Sequence, residues 1–208
     1  MGGMGPRRED AAEAICEAAF CVAADSGLDL ALALGLSPDL VVGDMDSLSR
    51  PSLLDSLPSE RVLRYPCDKD ETDTEIGLQT LQERGYGEVT ILGGGGGRLD
   101  HLLGVLMLFR RDAPPSRWLT DREEVRIIKG QCAFNAPLGQ TVSLFPWGGE
   151  ASGMSSIGLR WPLDGLTFRP GYAGISNTAT QENVSIRIRN GNLIMVRLFQ
   201  GASGEPAV

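Results

Sequence analysis

Histidine is nearly absent, with His101 the single imidazole in 208 residues. The four cysteines, Cys16, Cys21, Cys67 and Cys132, show no Cys-x-x-Cys spacing. So few soft donors argue against a zinc site. Scattered thiols fit a reducing cytosol better than a disulfide framework. Basic residues are outnumbered, 19 Lys and Arg against 27 Asp and Glu, giving a formal charge of -8. Without a basic stripe to displace counterions, general nucleic-acid binding is not expected. No apolar run approaches the length of a membrane-spanning helix. The Gly-rich start runs into Arg7-Arg8-Glu9-Asp10 without the apolar segment of a signal peptide. The expected location is the cytoplasm.

What is present is an ordinary globular composition, 42% hydrophobic and 22% charged. The first half alternates strand and helix signals. Phe20 to Ala24, Leu40 to Val42, Arg61 to Tyr65 and Val89 to Leu92 read as strands. Between them, Leu28 to Leu34, Thr74 to Arg84 and Leu99 to Arg110 read as helices, the first two closed by Gly35 and Gly85. Such alternation predicts an α/β domain, a mostly parallel sheet with helices on both faces. An α/β domain usually opens on a strand, whereas Met1-Gly2-Gly3 leads towards a helix at Glu9 to Ala18. The glycines read as the remainder of a loop that follows a first strand, as in a chain that begins late.

Pro114-Pro115 marks a break, and the boundary is expected between Asp112 and Asp121, with domains 1–115 and 116–208. Beyond it Val125 to Ile128, Thr141 to Phe145, Val184 to Ile188 and Leu193 to Phe199 read as strands. Asn190-Gly191 between the last two predicts a two-residue hairpin, because both residues tolerate positive φ. The second half is therefore expected to be an antiparallel β-sandwich or small barrel.

Three stretches carry chemistry. Gly93 to Gly97 join a strand to an apolar helix, which brings backbone amides close to a phosphate. The stretch lacks the Gly-Lys-Ser/Thr of a Walker loop. Arg98 adds a phosphate-pairing fork there and Asp100 a candidate metal ligand. His101 reads as a helix-start residue rather than a general base. Asp44 and Asp46 follow a predicted strand at the sheet edge where ligands bind. Two apart in extended chain, they are expected to face one cation. Asp70 and Asp73 precede the helix from Thr74, where Thr72 and Glu75 have capping-box spacing, so the local pattern also has a purely structural reading. Trp161 reads as core or as a platform for a cationic ring, and Gly174 to Asn177 as a turn.

In order and spacing, Ala24-Asp25-Ser26-Gly27, Gly43-Asp44-Met45-Asp46-Ser47, Lys69-Asp70-Glu71-Thr72-Asp73, Gly93 to His101, Gly158 to Leu163 and Gly174 to Asn177 resemble the thiamine pyrophosphokinase family. The resemblance implies a homodimer with sites between subunits, transferring the pyrophosphoryl group of ATP to the hydroxyl of thiamine. It implies magnesium on Asp44, Asp46, Asp70, Asp73 and Asp100, with Asp73, Asp100 and Arg98 catalytic. It implies ATP contacts at Asp25, Ser47, Lys69, Gly94, Gly95, Gly96, Gly97 and Arg98, and a thiamine pocket at Trp161, Ser176 and Asn177. Ser26 and Val105 depart from the family, which commonly has glycine and asparagine there. Two alternatives stay open: a related diphosphokinase acting on another alcohol such as a hydroxymethylpterin, and an inactive nucleotide- or thiamine-binding homologue.

Overall fold

The computed structural model describes residues 1–201. The chain divides into two compact units, Met1–Asp121 and Arg122–Val208. In the first, helix α1 (Ala12–Glu17) precedes β1 (Val22–Ala24), α2 (Gly27–Ala33) and β2 (Leu40–Gly43). Two short 3-10 turns lead to β3 (Val62–Arg64), then α3 (Asp73–Glu83), β4 (Thr90–Leu92), α4 (Leu99–Leu108) and β5 (Arg117–Leu119). Strands β1, β2 and β3 form a parallel sheet in that order, and β4 pairs parallel with β5.

Side-chain alternation explains how helices cover both faces. Ala23, Val41 and Val62 pack on one side with Leu28 of α2. Their neighbours Ala24, Val42 and Leu63 pack on the other with Ile76 of α3. A period of two thus feeds two apolar layers from strands of three or four residues. Because β5 belongs with β4, the first unit runs to Asp121, past the division expected at 115/116. Among the described residues β1 and β4 are not paired with each other. Met1 to Met4 lie there instead: the Met1 ammonium donates to Leu92 O, and Met4 bridges Gly95.

The second unit holds β6 (Glu123–Asn135), β7 (Thr141–Ser152), β8 (Ser155–Ile157), β9 (Gly174–Thr178) and β10 (Asn183–Leu198), all paired antiparallel. The hairpin expected at Asn190-Gly191 does not form. Both halves of β10 run along β6 in one direction, Asn183–Arg187 against Asn135–Gln131 and Asn192–Leu198 against Lys129–Glu123. Gly191 does take a positive φ of 78°, but at a bulge, where a Cβ would overlap the backbone at Glu150. Gly130 of β6 (φ 67°) and Gly148 of β7 (φ 85°) are left-handed at the same bend. Three long strands therefore turn a corner together, and the sheet closes over its own inner face as a sandwich. Ile128, Val142, Leu144, Ile186, Leu193 and Met195 fill that core.

Gly174 to Asn177, expected as a turn, is most of β9. The turn-like composition marks a bulge instead: Ile175 and Ser176 oppose the single Ser143. Ser176 has a positive φ of 61°, and its amide donates to Ser143 Oγ.

Candidate active site

Three loops at the carboxyl edge of the parallel sheet deliver carboxylates to one place. Asp25 follows β1, Asp44 follows β2, and Asp73 opens α3. One carboxylate oxygen from each lies within 4.8 Å of the others. The α3 terminus is fixed by the expected capping box, in which Thr72 Oγ1 accepts from the Glu75 amide and Glu75 Oε2 accepts from the Thr72 amide. Gly43, with φ 136°, makes room for the convergence. A Cβ there would stand 3.0 Å from the Asp73 carboxyl and 3.3 Å from Asp25 Cβ.

Asp46 reaches this site differently from the expectation. Met45 is left-handed (φ 68°), so the chain is not extended between Asp44 and Asp46, yet a carboxylate oxygen of each still comes within 4.8 Å of the other, as one cation would need. The Asp46 amide donates to Asp44 Oδ1, and Asp46 Oδ1 accepts from Ser47 Oγ. Asp46 joins Asp44 and Cys67 in a second group, its ligand atoms also within 4.8 Å of one another. Asp44 is thus the hinge of both groups. Cys67 had no signal in the sequence, because its neighbours come from a separate loop.

The charges are under-compensated. Lys69 Nζ stands 3.0 Å from Asp73 Oδ1 and 3.8 Å from Asp44 Oδ2. Burial raises the Asp73 carboxyl above its ordinary value, with Lys69 only partly opposing it. The Asp46 amide holds Asp44 below its ordinary value. The hydrogen bond to Asp44 pushes the Cys67 thiol up. Burial works to lower Lys69, but its bond to Asp73 and the nearby carboxylates outweigh it and hold the ammonium charged. One ammonium against three converging carboxylates leaves a demand for more positive charge. Asp25 adds a geometric sign of this, since it is 9% exposed and its buried Oδ1 has no hydrogen-bond partner. Hard oxygen donors with an orphaned carboxylate oxygen fit a magnesium-like cation.

Asp70 and Asp100 stand outside both groups. Asp70 is exposed in the loop before Thr72. Asp100 pairs with its neighbour Arg98, both largely exposed. The glycine corner is also partly committed: the Gly94 amide donates to Gly2 O and the Gly95 amide to Met4 O. Among the described residues the Gly96 and Gly97 amides donate to no protein acceptor. Asp121, which sequence reading passed over, lies against Gly95 at the end of β5. Ser26 and Gly27 pack on the same Met1–Gly2 segment as Gly93 and Gly94, so the β1 and β4 corners flank one strip of chain. Val105 is buried in α4, where an apolar side chain needs no partner.

In the second unit Trp161 is neither core nor part of a strand; its surface is 53% exposed. Asn177, 7% exposed, holds it from below. The Asn177 Oδ1 accepts from the Trp161 amide at 3.1 Å, and Nδ2 donates to Trp161 O at 2.7 Å. Ser176 is exposed beside it.

Comparison with known proteins separates the same two regions. Residues 11–115 match the family described as "Thiamin pyrophosphokinase, catalytic domain". Residues 125–193 match "Thiamin pyrophosphokinase, vitamin B1 binding domain". A thiamine pyrophosphokinase of Bacillus subtilis (strain 168) is 24% identical over 185 residues, covering 85% of this chain and 86% of that protein. Among solved structures, a Bacillus subtilis thiamine pyrophosphokinase superposes with a TM-score of 0.81 at 22% identity, covering 96% of each chain. One from Geobacillus thermodenitrificans gives 0.74 at 25% identity, covering 95% of each.

Proposed function

The chain belongs to the thiamin pyrophosphokinase family, and on that premise we infer that it transfers the pyrophosphoryl group of ATP to the hydroxyl of thiamine. The products are thiamine diphosphate and AMP, which makes it a transferase of thiamine diphosphate biosynthesis. The convergence of Asp25, Asp44 and Asp73 on one edge of a parallel sheet carries the reading for this chain.

The proposed cation set is Asp25, Asp44 and Asp73 with Asp46 alongside, leaving out Asp70 and Asp100 for the positions just described. Bound magnesium would neutralise polyphosphate charge and orient it. Lys69 and Arg98 supply fixed positive charge to the triphosphate, and the free amides of Gly96 and Gly97 supply donors. The thiamine hydroxyl oxygen attacks the β-phosphorus while the bond to the bridging α–β oxygen breaks and AMP departs. The hydroxyl proton passes to a carboxylate of the acidic group. Catalysis here is chiefly positioning and charge stabilisation. Trp161 offers its indole to a thiamine ring, and Asn177 acts on thiamine through Trp161 rather than by direct contact.

The enzyme is further proposed to work as a cytoplasmic homodimer with sites between subunits. Leu99, Leu103 and Met107, one turn apart on α4 and all exposed, support an apolar contact between copies. Four free cysteines accord with a reducing compartment. Among the described residues no helix is long and apolar enough to cross a membrane. The deciding assay is AMP release from ATP in magnesium buffer, expected only when thiamine is added. Release driven by a hydroxymethylpterin with no thiamine response would reassign the acceptor. Binding of ATP and thiamine without AMP would mark an inactive homologue.

A further inference from the structure

The peptide before Pro162 is docked along β9 by four contacts. Leu159 bridges Ala179, the Arg160 amide donates to Thr178 O at 2.8 Å, and Asn177 takes both backbone polar groups of Trp161. The base of the indole is thereby fixed while its ring remains half exposed. Over that ring, 4.9 Å from the centroid, stands the guanidinium of Arg160. Arg160 is itself exposed and makes no ion pair among the described residues.

An indole face attracts cations through its quadrupole, and a planar guanidinium is a strong partner. Thiamine carries a permanent positive charge on its planar thiazolium ring, so ligand and side chain compete for the same kind of surface. Resting on the reading that thiamine stacks on Trp161, we propose that Arg160 is an internal occupant of the thiamine subsite, displaced by the ligand's cationic ring. Substrate binding then exchanges one cation–π contact for another, and Arg160 sets how weakly the site holds thiamine. The short segment Arg160-Trp161 contains both the platform and its competitor.

Calorimetric titration of thiamine into the full chain tests this. Arg160→Gln, which removes the charge at an exposed position, is expected to tighten thiamine binding roughly two- to fivefold without moving the melting temperature. Unchanged or weaker binding in that variant overturns the proposal; weaker binding would make Arg160 a ligand contact. Trp161→Ala separates this from the premise. If it binds thiamine with wild-type affinity, stacking on the indole fails and the role of Arg160 fails with it. If Trp161→Ala weakens binding while Arg160→Gln leaves it unchanged, only the role of Arg160 is lost.

Discussion

The Lys69 ammonium stands 3.0 Å from Asp73 Oδ1, at the mouth of the acidic group rather than out in solvent. Lys69 lies four residues before Asp73, which opens the capped helix, so the pair ties the loop after β3 to the helix start. It answers only part of the negative charge, because Asp25 and Asp44 converge on the same place. A divalent cation would offset the carboxylate charge that Lys69 leaves unanswered.

Asp73→Asn is expected to lower turnover about a hundredfold or more, since it removes one bridging charge from the proposed cation set. The neutral amide keeps the shape, and α3 stays capped by Thr72 and Glu75. Thiamine-dependent AMP release paired with circular dichroism checks this. Wild-type turnover in a folded variant would remove Asp73 from the machinery.

Gly43→Ala asks whether the convergence needs its glycine. The added methyl meets the Asp73 carboxyl and Asp25 Cβ at a backbone φ of 136°. A displacement near 1 Å in such a site costs about a hundredfold in rate. The expected result is a loss of turnover with a shift in the magnesium concentration at half activity. An unaffected magnesium dependence would count against the proposed cation set.

Asn177→Ala should act on thiamine through Trp161. Three backbone groups, the Trp161 amide and carbonyl and the Thr178 amide, lose this partner, at a cost of about 1–3 kcal/mol each where water cannot replace it. The KM for thiamine is expected to rise about tenfold with a smaller change in the KM for ATP. Equal effects on both substrates would show a general loss of structure instead.

Glu124 governs acid stability of the second unit. It is 3% exposed and accepts from Arg126 Nε and Arg197 Nε, each at 2.9 Å. Burial works to raise its carboxyl, but Arg197 and then Arg126 outweigh it and hold it below the ordinary value. A depressed folded-state value means stability present above the unfolded value, about 4.3, and lost as pH falls through the folded one. Glu124→Gln strands two guanidiniums and should cost about 3–5 kcal/mol at neutral pH. Thermal unfolding of both proteins across acidic pH decides it: the wild type loses stability there and the variant has less to lose. Parallel acid limbs would assign the effect elsewhere.

Local signals determined much of this protein. Strand and helix alternation, the Thr72–Glu75 cap and the apolar runs at Leu40 to Val42 and Val89 to Leu92 depend on residues a few positions apart, so they are visible in the chain itself. Tertiary structure alone decided the rest. Asn190-Gly191 has hairpin chemistry, yet whether the left-handed Gly191 turns the chain or bulges it depends on the strands alongside, here β6 and β7. Gly94 and Gly95 were legible as a phosphate cradle, but their amides are taken by a segment some ninety residues away in sequence. Cys67 and Asp25 joined the acidic site, and Asp70 and Asp100 did not, because the distance between side chains on different loops is set by how strands pack. Sequence spacing carries no measure of that.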